Sequence, residues 1–377
     1  MRILHWGDLD VKTGGPALST YLTLKGLCYG GQEAECLMPP LSRGGSLFGD
    51  EVNVHFTENV KNDRIKYIPN LRQTLEELGK YDLYHIQGIW QYPGHIVANY
   101  AIKQKKPYVI TLRGMMYPEA MAHSPIIKKI SLLLYQKVDL MNAACIQATC
   151  KEEMDHYRLL GFNNPVAILA NPIEINGIVD RPIPPKEKIR IGYLGRVHPR
   201  KRIERLIYAF ANHRDAFNDC ELLIIGSDDI FYEQFLRQEV KRFDLSNVVF
   251  TGFLTGDEKD KAITDLSVLA VPSDFENFGN IVTEALVRGV PVIASKGMPW
   301  QDLEDYHCGW WIKNDQQTID KTLMEAVTMS EDERIAMGMR GKQLMKDKYS
   351  VEVLGEKMAM LYKWILGQGD KPVFVYE

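Results

Sequence analysis

The 377-residue chain lacks the long apolar runs that membrane-spanning helices require. Its longest apolar stretches, such as Ile130 to Tyr135 and Leu222 to Ile225, fall far short of the ~18 residues needed to cross a bilayer. Polar residues follow Met1 so closely that no room remains for the apolar core of a signal peptide. We therefore expect a soluble, cytoplasmic protein.

The chain also lacks a strong charge of one sign. Its 45 Lys and Arg and 49 Asp and Glu side chains give a formal net charge of −4, so no overall positive field is available to hold a nucleic acid. Cysteine is scarce as well, and none of the six forms a CxxC pair or has a histidine at zinc-ligand spacing. We predict reduced, buried thiols rather than disulfides or a zinc site.

Short apolar runs alternate with longer helical patterns along the chain, which predicts an α/β protein with parallel sheets. The predicted strands are Arg2–Gly7, Ala34–Met38, Leu83–Gln87, Tyr108–Leu112, Ala144–Ala148 and Val166–Leu169, then Arg190–Leu194, Glu221–Ile225, Val248–Thr251, Ser267–Val271 and Pro291–Ala294. The predicted helices include Pro16–Tyr29, His95–Lys103, Ile126–Asn142, Ile203–Asn212, Phe231–Phe243 and Ile281–Arg288, followed by a mostly helical tail from Gln316 to Leu366.

A proline-rich, non-periodic segment at residues 173–188 separates the two runs of strands and is typical of an interdomain linker. We predict an N-terminal domain over residues 1–172 and a C-terminal domain over residues 189–354. Because ligands of open α/β sheets bind at the carboxyl ends of the strands, we expect a ligand in a cleft between two facing domains.

Two loops could bind phosphate, one near the start of the chain and one at the start of its second half. Gly14 and Gly15 lie where the first strand leads into a helix, although such a pair is equally consistent with a tight turn. The segment from Arg196 to Arg202 also follows a strand and is rich in basic residues. Such a cluster is often only a solvated charge run, but its position at a strand end favours phosphate binding through Arg196 and Lys201.

A third loop carries two carboxylates beside a helix start. Glu276 lies in the loop after a predicted strand, Gly279 and Asn280 open the helix, and Glu284 follows about one turn inside it. Backbone N–H groups at such a start suit a phosphate oxygen, and the carboxylates suit sugar hydroxyls. Taken alone, the two glutamates are more typical of a surface loop acid and a helix acid, but the nearby basic loop favours the binding interpretation.

Together these motifs resemble the retaining GT-B glycosyltransferases of family 4, and the likeness extends over nearly the whole chain. It rests on the following segments: Gly14-Gly15, Thr111-Leu112-Arg113-Gly114-Met115, Asn171-Pro172, Leu194-Gly195-Arg196 with Lys201, Glu276 with Glu284, and Gly289 to Ala294. The resemblance implies two Rossmann-like domains facing across a deep cleft, with a C-terminal helix from about residue 355 to residue 377 returning to the first domain. It also implies transfer of a sugar from a nucleotide diphosphate sugar to an acceptor hydroxyl, with retention of configuration.

The resemblance also implies a role for each matching residue. Arg196 and Lys201 would bind the diphosphate and stabilise the charge that develops on it, while Glu276 contacts the transferred sugar. The other implied donor-binding residues are Gly15, Gly226, Phe253, Phe278, Gly279, Asn280 and Glu284. Front-side substitution, with the departing phosphate accepting the acceptor's proton, is the implied mechanism.

One arginine, Arg113, and one histidine, His85, are candidates for contact with the acceptor. Many relatives have a histidine where this chain has Arg113, and a permanently charged, forked side chain there could clamp a phosphate or an acidic sugar. His85, at the end of another predicted strand, could lie near the acceptor, although a packed histidine with satisfied nitrogens fits the sequence equally well.

Asp8-Leu9-Asp10 matches the DxD pattern with which the other major glycosyltransferase fold binds a divalent metal. The match is short and follows the first strand, far from where that fold places it, so we predict no metal and no other cofactor. Lys128, Lys129 and Lys137 lie among apolar residues between His123 and Val138, a pattern that suits either a core-facing helix or a peripheral contact with the inner face of a membrane.

We therefore predict a cytoplasmic glycosyltransferase of bacterial surface polysaccharide or glycoconjugate assembly. It would use a UDP-sugar or GDP-sugar and a saccharide or lipid-linked saccharide acceptor. Two alternatives stay open at this point: a nucleotide-sugar 2-epimerase on the same scaffold, and a protein that binds a nucleotide sugar without chemistry.

Overall fold

The computed structural model describes residues 1–62, 65–186, 188–227 and 231–377. The chain divides into two compact units. Unit 1 comprises Met1–Pro172 together with Ser350–Glu377, and unit 2 comprises Ile173–Tyr349. The return to unit 1 thus begins at Ser350, five residues before the position expected from the sequence. Residues 173–186 and 188 of the predicted linker belong to unit 2, while residue 187 lies outside the described residues.

The strands, in chain order, are β1 (Arg2–Trp6), β2 (Glu33–Met38), β3 (Asn53–Phe56), β4 (Leu83–Gln87), β5 (Tyr108–Thr111), β6 (Cys145–Ala148), β7 (Val166–Ile168), β8 (Ile189–Leu194), β9 (Cys220–Ile225), β10 (Val248–Gly252), β11 (Val268–Val271), β12 (Val292–Ser295), β13 (Gly309–Ile312) and β14 (Val375–Tyr376).

The α-helices are α1 (Gly15–Tyr29), α2 (Leu71–Leu78), α3 (Tyr92–Lys103), α4 (Pro118–Ala122), α5 (Pro125–Ser131), α6 (Lys137–Asn142), α7 (Lys151–Leu159), α8 (Glu204–Asn212), α9 (Arg214–Phe217), α10 (Tyr232–Arg242), α11 (Gly256–Thr264), α12 (Asn280–Leu286), α13 (Asp302–Asp305), α14 (Gln316–Thr328), α15 (Glu331–Leu344) and α16 (Val351–Ile365). Short 3₁₀ turns span Val11–Thr13 and Pro199–Lys201, and π-helical turns span Leu132–Gln136 and Met345–Tyr349.

The sheet of unit 1 has the strand order β14-β7-β6-β5-β4-β1-β2-β3. All its neighbouring strands are parallel except β14, which runs antiparallel to β7. Most side chains of β1, β4, β5 and β6 are buried, as expected for strands covered by helices on both faces. The chain builds outward from β1 in one direction and from β4 in the other, so the topological switch point lies between these two strands.

The sheet of unit 2 is entirely parallel and has the order β10-β9-β8-β11-β12-β13. Here the order reverses between β8 and β11, which are hydrogen-bonded neighbours. The predicted α/β class with two Rossmann-like sheets is therefore confirmed.

Helix α16 closes the core of unit 1 by packing against α1. A Cβ atom added to Gly355 would lie 2.4 Å from the backbone carbon of Gly26, so glycine at this crossing lets the two helix backbones approach closely. Tyr362 of α16 is fully buried in the same core.

Several elements differ from the sequence-based predictions. Every predicted strand is present within a residue or two of its predicted bounds, but β3, β13 and β14 were not predicted. The helix predicted over Ile126–Asn142 is divided into α5, a π-helical turn and α6. All six cysteines are free thiols, and no helix in the described ranges is long and apolar enough to cross a membrane.

Candidate functional site

In unit 2, two predicted site loops meet at the switch point of the sheet. The loop that contains Arg196 and Lys201 follows β8, and the loop that contains Glu276 follows β11. Because β8 and β11 are neighbouring parallel strands, their carboxyl ends open at the same edge. The structure thus brings together the basic loop and the acidic loop, which lie more than 70 residues apart in the chain.

Lys201 and Glu276 form a direct ion pair between the two loops. Lys201 is buried and Glu276 is largely so. Burial, together with Arg200 and Arg196, lowers the pKa of Lys201, while the Glu276 carboxylate favours the charged ammonium. The ion pair therefore favours the charged form of Lys201 at the strand ends, where burial alone favours the neutral amine.

Further contacts fasten the same two loops to each other. The backbone N–H of Asp274 donates to the carbonyl of Arg200 at 2.8 Å, and Arg202 Nε donates to Asp274 Oδ2 at 2.5 Å. Asn314 donates to the other carboxylate oxygen of Asp274 at 3.1 Å. These bonds fix the backbone on either side of Lys201 and Glu276, as a preorganised binding site requires.

Two glycines let neighbouring loops approach each other at this edge. Gly226 has a φ of +157°, and a Cβ added there would lie 1.7 Å from the carbonyl oxygen of Gly195, so no other residue fits without moving the backbone. Gly195 in turn donates to Ile225 O at 2.9 Å. Gly226 thus acts by permitting close packing of the strand ends.

The remaining predicted donor residues of unit 2 surround this edge. Gly279, with a φ of +82°, begins α12 just before Asn280, and Phe278 turns its ring into the core against Trp300, which donates to the Phe278 carbonyl at 2.6 Å. Glu284 in α12 pairs with Lys259 of α11 at 2.5 Å. Phe253 follows β10 and is 73% exposed.

Unit 1 has a cavity of about 520 Å³ at its own switch point. Residues after β1, β4 and β5 line it, together with the start of α1: Trp6, Gly7, Asp8, Thr13, Pro16, Ala17, Thr20, Gln87, Arg113 and Met115 are among them. This volume lies in the range of pockets that bind small molecules. Gly15 lies beside it as the first residue of α1, next to Pro16.

Arg113 enters this cavity and is held by neutral oxygens. Its guanidinium donates to Ser19 Oγ at 2.5 Å, to Thr20 Oγ1 at 2.7 Å and to Gln87 Oε1 at 2.7 Å. Both hydroxyls donate to the Pro16 carbonyl, which leaves their lone pairs free to accept from the arginine. Burial lowers the pKa of Arg113 to about 10, and the nearby Glu153 carboxylate opposes this only in part.

His85 lies in the core and not on the cavity wall. Its Nδ1 bonds to the Tyr362 hydroxyl at 2.5 Å and its Nε2 to Thr111 Oγ1 at 2.6 Å. With no exposed surface and both nitrogens bonded, it is the packed histidine and has no route to an acceptor. The expectation that His85 could lie near the acceptor is therefore corrected.

His85 belongs to a buried chain of hydrogen bonds that begins at Arg113. The chain continues from Gln87 through His5, Tyr362, His85, Thr111 and Gln147 to the carbonyl of Leu169. Arginine can only donate, so the oxygen of Gln87 must face it and the amide nitrogen must face His5. Each later bond then has its donor fixed in turn, provided that both histidines are neutral.

Burial makes these histidines neutral. Burial and, to a smaller extent, the positive charge of Arg113 lower the pKa of His5 to about 3. Burial, with smaller contributions from His5 and Arg113, lowers the pKa of His85 well below its usual value. His5 Nε2 therefore donates to Tyr362, and the Tyr362 hydroxyl donates to His85 Nδ1. The guanidinium is thereby positioned, through Gln87 and His5, by a tyrosine of α16.

Asp8 and Asp10 serve the local structure of the loop after β1. Asp8 accepts from the Asp10 N–H at 2.9 Å and from the Thr13 hydroxyl at 2.6 Å. Asp10 caps the 3₁₀ turn through Lys12 N–H and also accepts from Ser42. Burial opposes this ionisation, but the hydrogen bonds from Ser42 and Lys12 hold the pKa of Asp10 below its usual value.

Sequence reasoning missed the side chains that support these sites. Ser19, Thr20, Gln87, His5 and Tyr362 carry no motif, and only their contacts with Arg113 or with one another reveal them. No motif predicts Lys259 either. A lysine early in one helix, followed by a second helix that carries an acid, is only a weak indication of an ion pair.

Two family models match the chain almost end to end. Residues 14–172 match the glycosyl transferase 4-like domain, and residues 178–344 match the glycosyl transferases group 1 domain. The boundary between the matches falls close to the boundary between units 1 and 2.

Among curated proteins, the chain is 27% identical over 192 residues to the alpha-1,3/1,6-mannosyltransferase alg2 of Schizosaccharomyces pombe, a match that covers 44% of this chain and 38% of the relative. It is 22% identical to the O-antigen biosynthesis glycosyltransferase WclY of Escherichia coli, over 81% of this chain and 84% of the relative. The chain spans well under half the length of the first curated relatives that it matches.

Solved structures share the fold at low identity. Sucrose-phosphate synthase from Thermosynechococcus elongatus superposes with a TM-score of 0.74 at 17% identity, over 97% of this chain and 100% of the other. Anabaena Alr3699/HepE in complex with UDP and glucose gives a TM-score of 0.72, also at 17% identity, over 97% and 100%. These structures and the two Rossmann-like sheets show the GT-B fold. The two domain matches show that the chain belongs to the group 1 glycosyltransferases.

Proposed function

We propose that this glycosyltransferase moves a sugar from a nucleotide diphosphate sugar to an acceptor hydroxyl with retention of configuration. The observation that carries the proposal is the Lys201–Glu276 pair, fixed at the switch point of unit 2 beside the loop of Arg196. A cation and a carboxylate at one strand edge suit a ligand that has both a diphosphate and sugar hydroxyls.

The basic and acidic residues of unit 2 have different roles in the reaction. Arg196 and Lys201 stabilise the negative charge that develops on the diphosphate as the glycosidic bond breaks. Glu276 accepts hydrogen bonds from the transferred sugar, and Glu284 accepts them from the ribose. The acceptor oxygen forms the new bond on the face that the diphosphate leaves, and the departing phosphate oxygen takes the acceptor's proton.

This chemistry needs no divalent metal, because Arg196 and Lys201 supply the positive charge. In addition, both carboxylates of the DxD-like segment already accept hydrogen bonds, Asp8 from its own loop and Asp10 from its own loop and from Ser42. We expect full activity in excess chelator, measured against the same enzyme with added magnesium. Abolition of activity by the chelator would contradict metal independence.

The donor is a UDP-sugar or a GDP-sugar, and the setting is bacterial surface polysaccharide or glycoconjugate assembly. Support comes from the relatives: the Anabaena structure holds UDP and glucose, and the Escherichia coli protein acts in O-antigen biosynthesis. Gly15, at the exposed start of α1, is the first-domain residue that would approach the donor phosphates.

Incubation with a panel of UDP- and GDP-sugars tests the reaction class. Slow release of free sugar and nucleoside diphosphate in the absence of acceptor supports the transferase. Conversion to an epimeric nucleotide sugar would instead support the 2-epimerase, and binding without any conversion would support a non-catalytic protein. Anomeric configuration of a transferred product, read by NMR, tests retention.

The segment from α5 to α6 supports a peripheral contact with a lipid surface. Apolar side chains along it are exposed: Ile126, Ile127, Ile130, Leu133, Leu134, Val138 and Met141. Leu133 is 82% exposed and Leu134 is 73% exposed. The segment also contacts the core of unit 1, where Leu140 is buried and Leu132 packs against the cluster, so only part of its apolar surface is exposed. Large exposed apolar patches of this kind mark interaction sites.

Charge favours anionic lipid as the partner of this surface. Residues 120–138 include three lysines and no acidic side chain, and Lys129 and Lys137 are exposed. A symmetric dimer through the same patch would bring the lysines of the two copies face to face, which costs energy. An anionic bilayer, such as the inner face of a bacterial membrane, neutralises them instead.

Vesicle co-sedimentation tests this contact. The full chain should bind phosphatidylglycerol vesicles, and Leu133→Glu/Leu134→Glu should weaken that binding by about tenfold or more, because apolar burial is lost. Leu159→Glu is the matched control, since Leu159 is equally exposed but lies in α7. Two results would contradict the proposal. One is unchanged vesicle binding by the double variant, and the other is a dimer of the unaltered chain that the double variant abolishes and Leu159→Glu does not.

A further inference from the structure

Arg113 has three features that reduce the stability of the folded chain. Its backbone has a φ of +54°, which is unusual for a residue other than glycine. Its Nε is buried and has no hydrogen-bond partner. Its side chain is only partly exposed, and among the described residues the oxygens that the guanidinium contacts are neutral. Strain and an uncompensated charge at one position indicate a functional role.

The acids nearest to Arg113 do not neutralise it. Glu153 accepts from the backbone N–H groups of Gly114 and Thr149, and no ion pair joins it to Arg113. Asp8, on the cavity wall, is engaged by Asp10 and Thr13. No carboxylate among the described residues therefore lies within ion-pair distance of the guanidinium.

Negative charge for Arg113 can thus come from a ligand of the cavity. A bound oxyanion would regain the electrostatic energy that burial costs the arginine, and planar guanidinium groups suit phosphate and carboxylate oxygens. Two further features fit such a ligand. Lys66 also lines the cavity, and the cavity volume of about 520 Å³ accommodates a sugar.

We propose that the unit 1 cavity binds an acceptor saccharide through an oxyanion, a phosphate or a carboxylate, that Arg113 contacts. The inference rests on the proposed glycosyltransferase function and deepens it by naming the class of acceptor. Arg113 distinguishes this class from neutral sugars because a partly buried cation, with no ion-pair partner among the described residues, favours a ligand that brings a counter-charge.

Calorimetric binding to the full-length protein tests the proposal with defined probes: glucose, glucuronate, glucose 6-phosphate, inorganic phosphate and UDP. We expect glucuronate or glucose 6-phosphate to bind at least about tenfold more tightly than glucose. Arg113→Gln should remove that preference, and Arg113→Lys should retain part of it. Arg72→Gln, on the exposed face of α2, is the matched control and should change nothing.

The probes also separate the possible sources of the oxyanion. Preference for glucose 6-phosphate indicates a phosphate on the acceptor, and preference for glucuronate indicates a carboxylate. If Arg113→Gln weakens UDP as strongly as the anionic sugars, the arginine serves the donor and the acceptor assignment is wrong. Equal binding of glucose and the anionic sugars, or no binding of any anionic sugar, also overturns it.

Failure of this inference is distinguishable from failure of the proposed function. Hydrolysis of nucleotide sugars reports the reaction, whereas sugar binding reports the cavity of unit 1. An enzyme that hydrolyses a donor but shows no preference for anionic sugars keeps its function and loses only the acceptor class. Thermal unfolding of Arg113→Gln and Arg113→Lys shows whether a loss of binding is a loss of folding.

Discussion

The two units treat the cations of their candidate sites in opposite ways. In unit 2, Lys201 pairs with Glu276, Lys259 with Glu284 and Arg202 with Asp274. In unit 1, the Arg113 guanidinium donates to a serine, a threonine and an amide oxygen, and to no carboxylate of the described residues. A ligand of unit 2 must therefore displace or share a carboxylate partner, while an anion entering the cavity of unit 1 displaces none.

The difference separates two ways of keeping charge in a folded protein. A paired site is stable without ligand, and the cost of removing one partner falls on the other, which is left buried and unpaired. An unpaired cation lowers stability permanently but binds its ligand without first breaking an ion pair. Substitutions of the ion-paired residues of unit 2 should thus affect both folding and activity, and those at Arg113 mainly binding.

Lys201→Ala should have the largest effect. It leaves Glu276 buried without its partner, which we expect to cost about 3–5 kcal/mol of unfolding free energy. It also removes a preorganised cation, which we expect to lower turnover ~100- to 1000-fold. Denaturant unfolding and donor hydrolysis measure the two losses.

The double variant Lys201→Ala/Glu276→Gln separates these effects. Stability should largely return, because the glutamine is neutral, whereas activity should stay low. A double variant that is as unstable as Lys201→Ala alone would show that the ion pair does not account for the stability loss.

Arg196→Ala should lower activity without lowering stability. Arg196 is exposed, and surface substitutions usually change stability by about 0.5 kcal/mol or less. Loss of one cation from the diphosphate site should still reduce turnover ~100- to 1000-fold. Arg242→Ala, another exposed arginine of unit 2, is the control. Near-normal activity of Arg196→Ala would remove this residue from the catalytic site.

Unit 1 should lose stability in acid because of His5 and His85. Their pKa values are depressed in the folded protein, to about 3 for His5, so the unfolded chain binds more protons below its own histidine pKa. Their contribution is complete above about pH 6.5 and is lost as the pH falls, by about 1.4 kcal/mol per histidine for each pH unit.

Hydrogen exchange at pH 7 and pH 5.5, followed separately for residues 1–172 and 173–349, measures this effect. Intrinsic amide exchange slows as the pH falls, so each rate is divided by the intrinsic rate at that pH. The resulting protection should fall more in the first range at pH 5.5. An equal loss of protection in both ranges would show that the buried histidines do not set the acid stability of unit 1.

Phe253→Ala should have the smallest effect. Its ring is exposed after β10, so stability should hardly change. If the ring stacks on the nucleotide base, its loss should weaken UDP or GDP binding about tenfold. Phe56→Ala, on β3 of unit 1, is the control for loss of an exposed phenyl ring. Unchanged nucleotide binding would remove Phe253 from the donor site.

Much of the fold follows from local sequence because parallel strands buried on both faces are nearly continuous apolar runs. Strands β3, β13 and β14 lack that signal: every residue of β3 and β13 is at least partly exposed, and β14 has only two residues. These strands are defined by hydrogen bonds to a neighbouring strand. The local sequence pattern does not show which strand that neighbour is.

The two candidate sites differ in the same respect. Arg196, Lys201, Glu276 and Glu284 stand in short motifs whose spacing sets their position at strand ends. The surroundings of Arg113 come from α1, β4 and, through His5, from Tyr362 of α16, and no local pattern joins such distant segments. For that reason sequence could raise His85 as an acceptor candidate, and only contacts could remove it.

Tyr362 also has a consequence for the order in which the protein is made. Ribosomal synthesis delivers residues 1–172 first, then all of unit 2, and only afterwards the segment 350–377 that completes unit 1. Unit 2 can therefore finish folding before Tyr362 has been synthesised and can bond to the histidines on β1 and β4 of unit 1. In released chains that end at residue 349, we expect protease resistance in unit 2 and cleavage within residues 1–172. We thus expect the half that starts synthesis first to be the half that folds last.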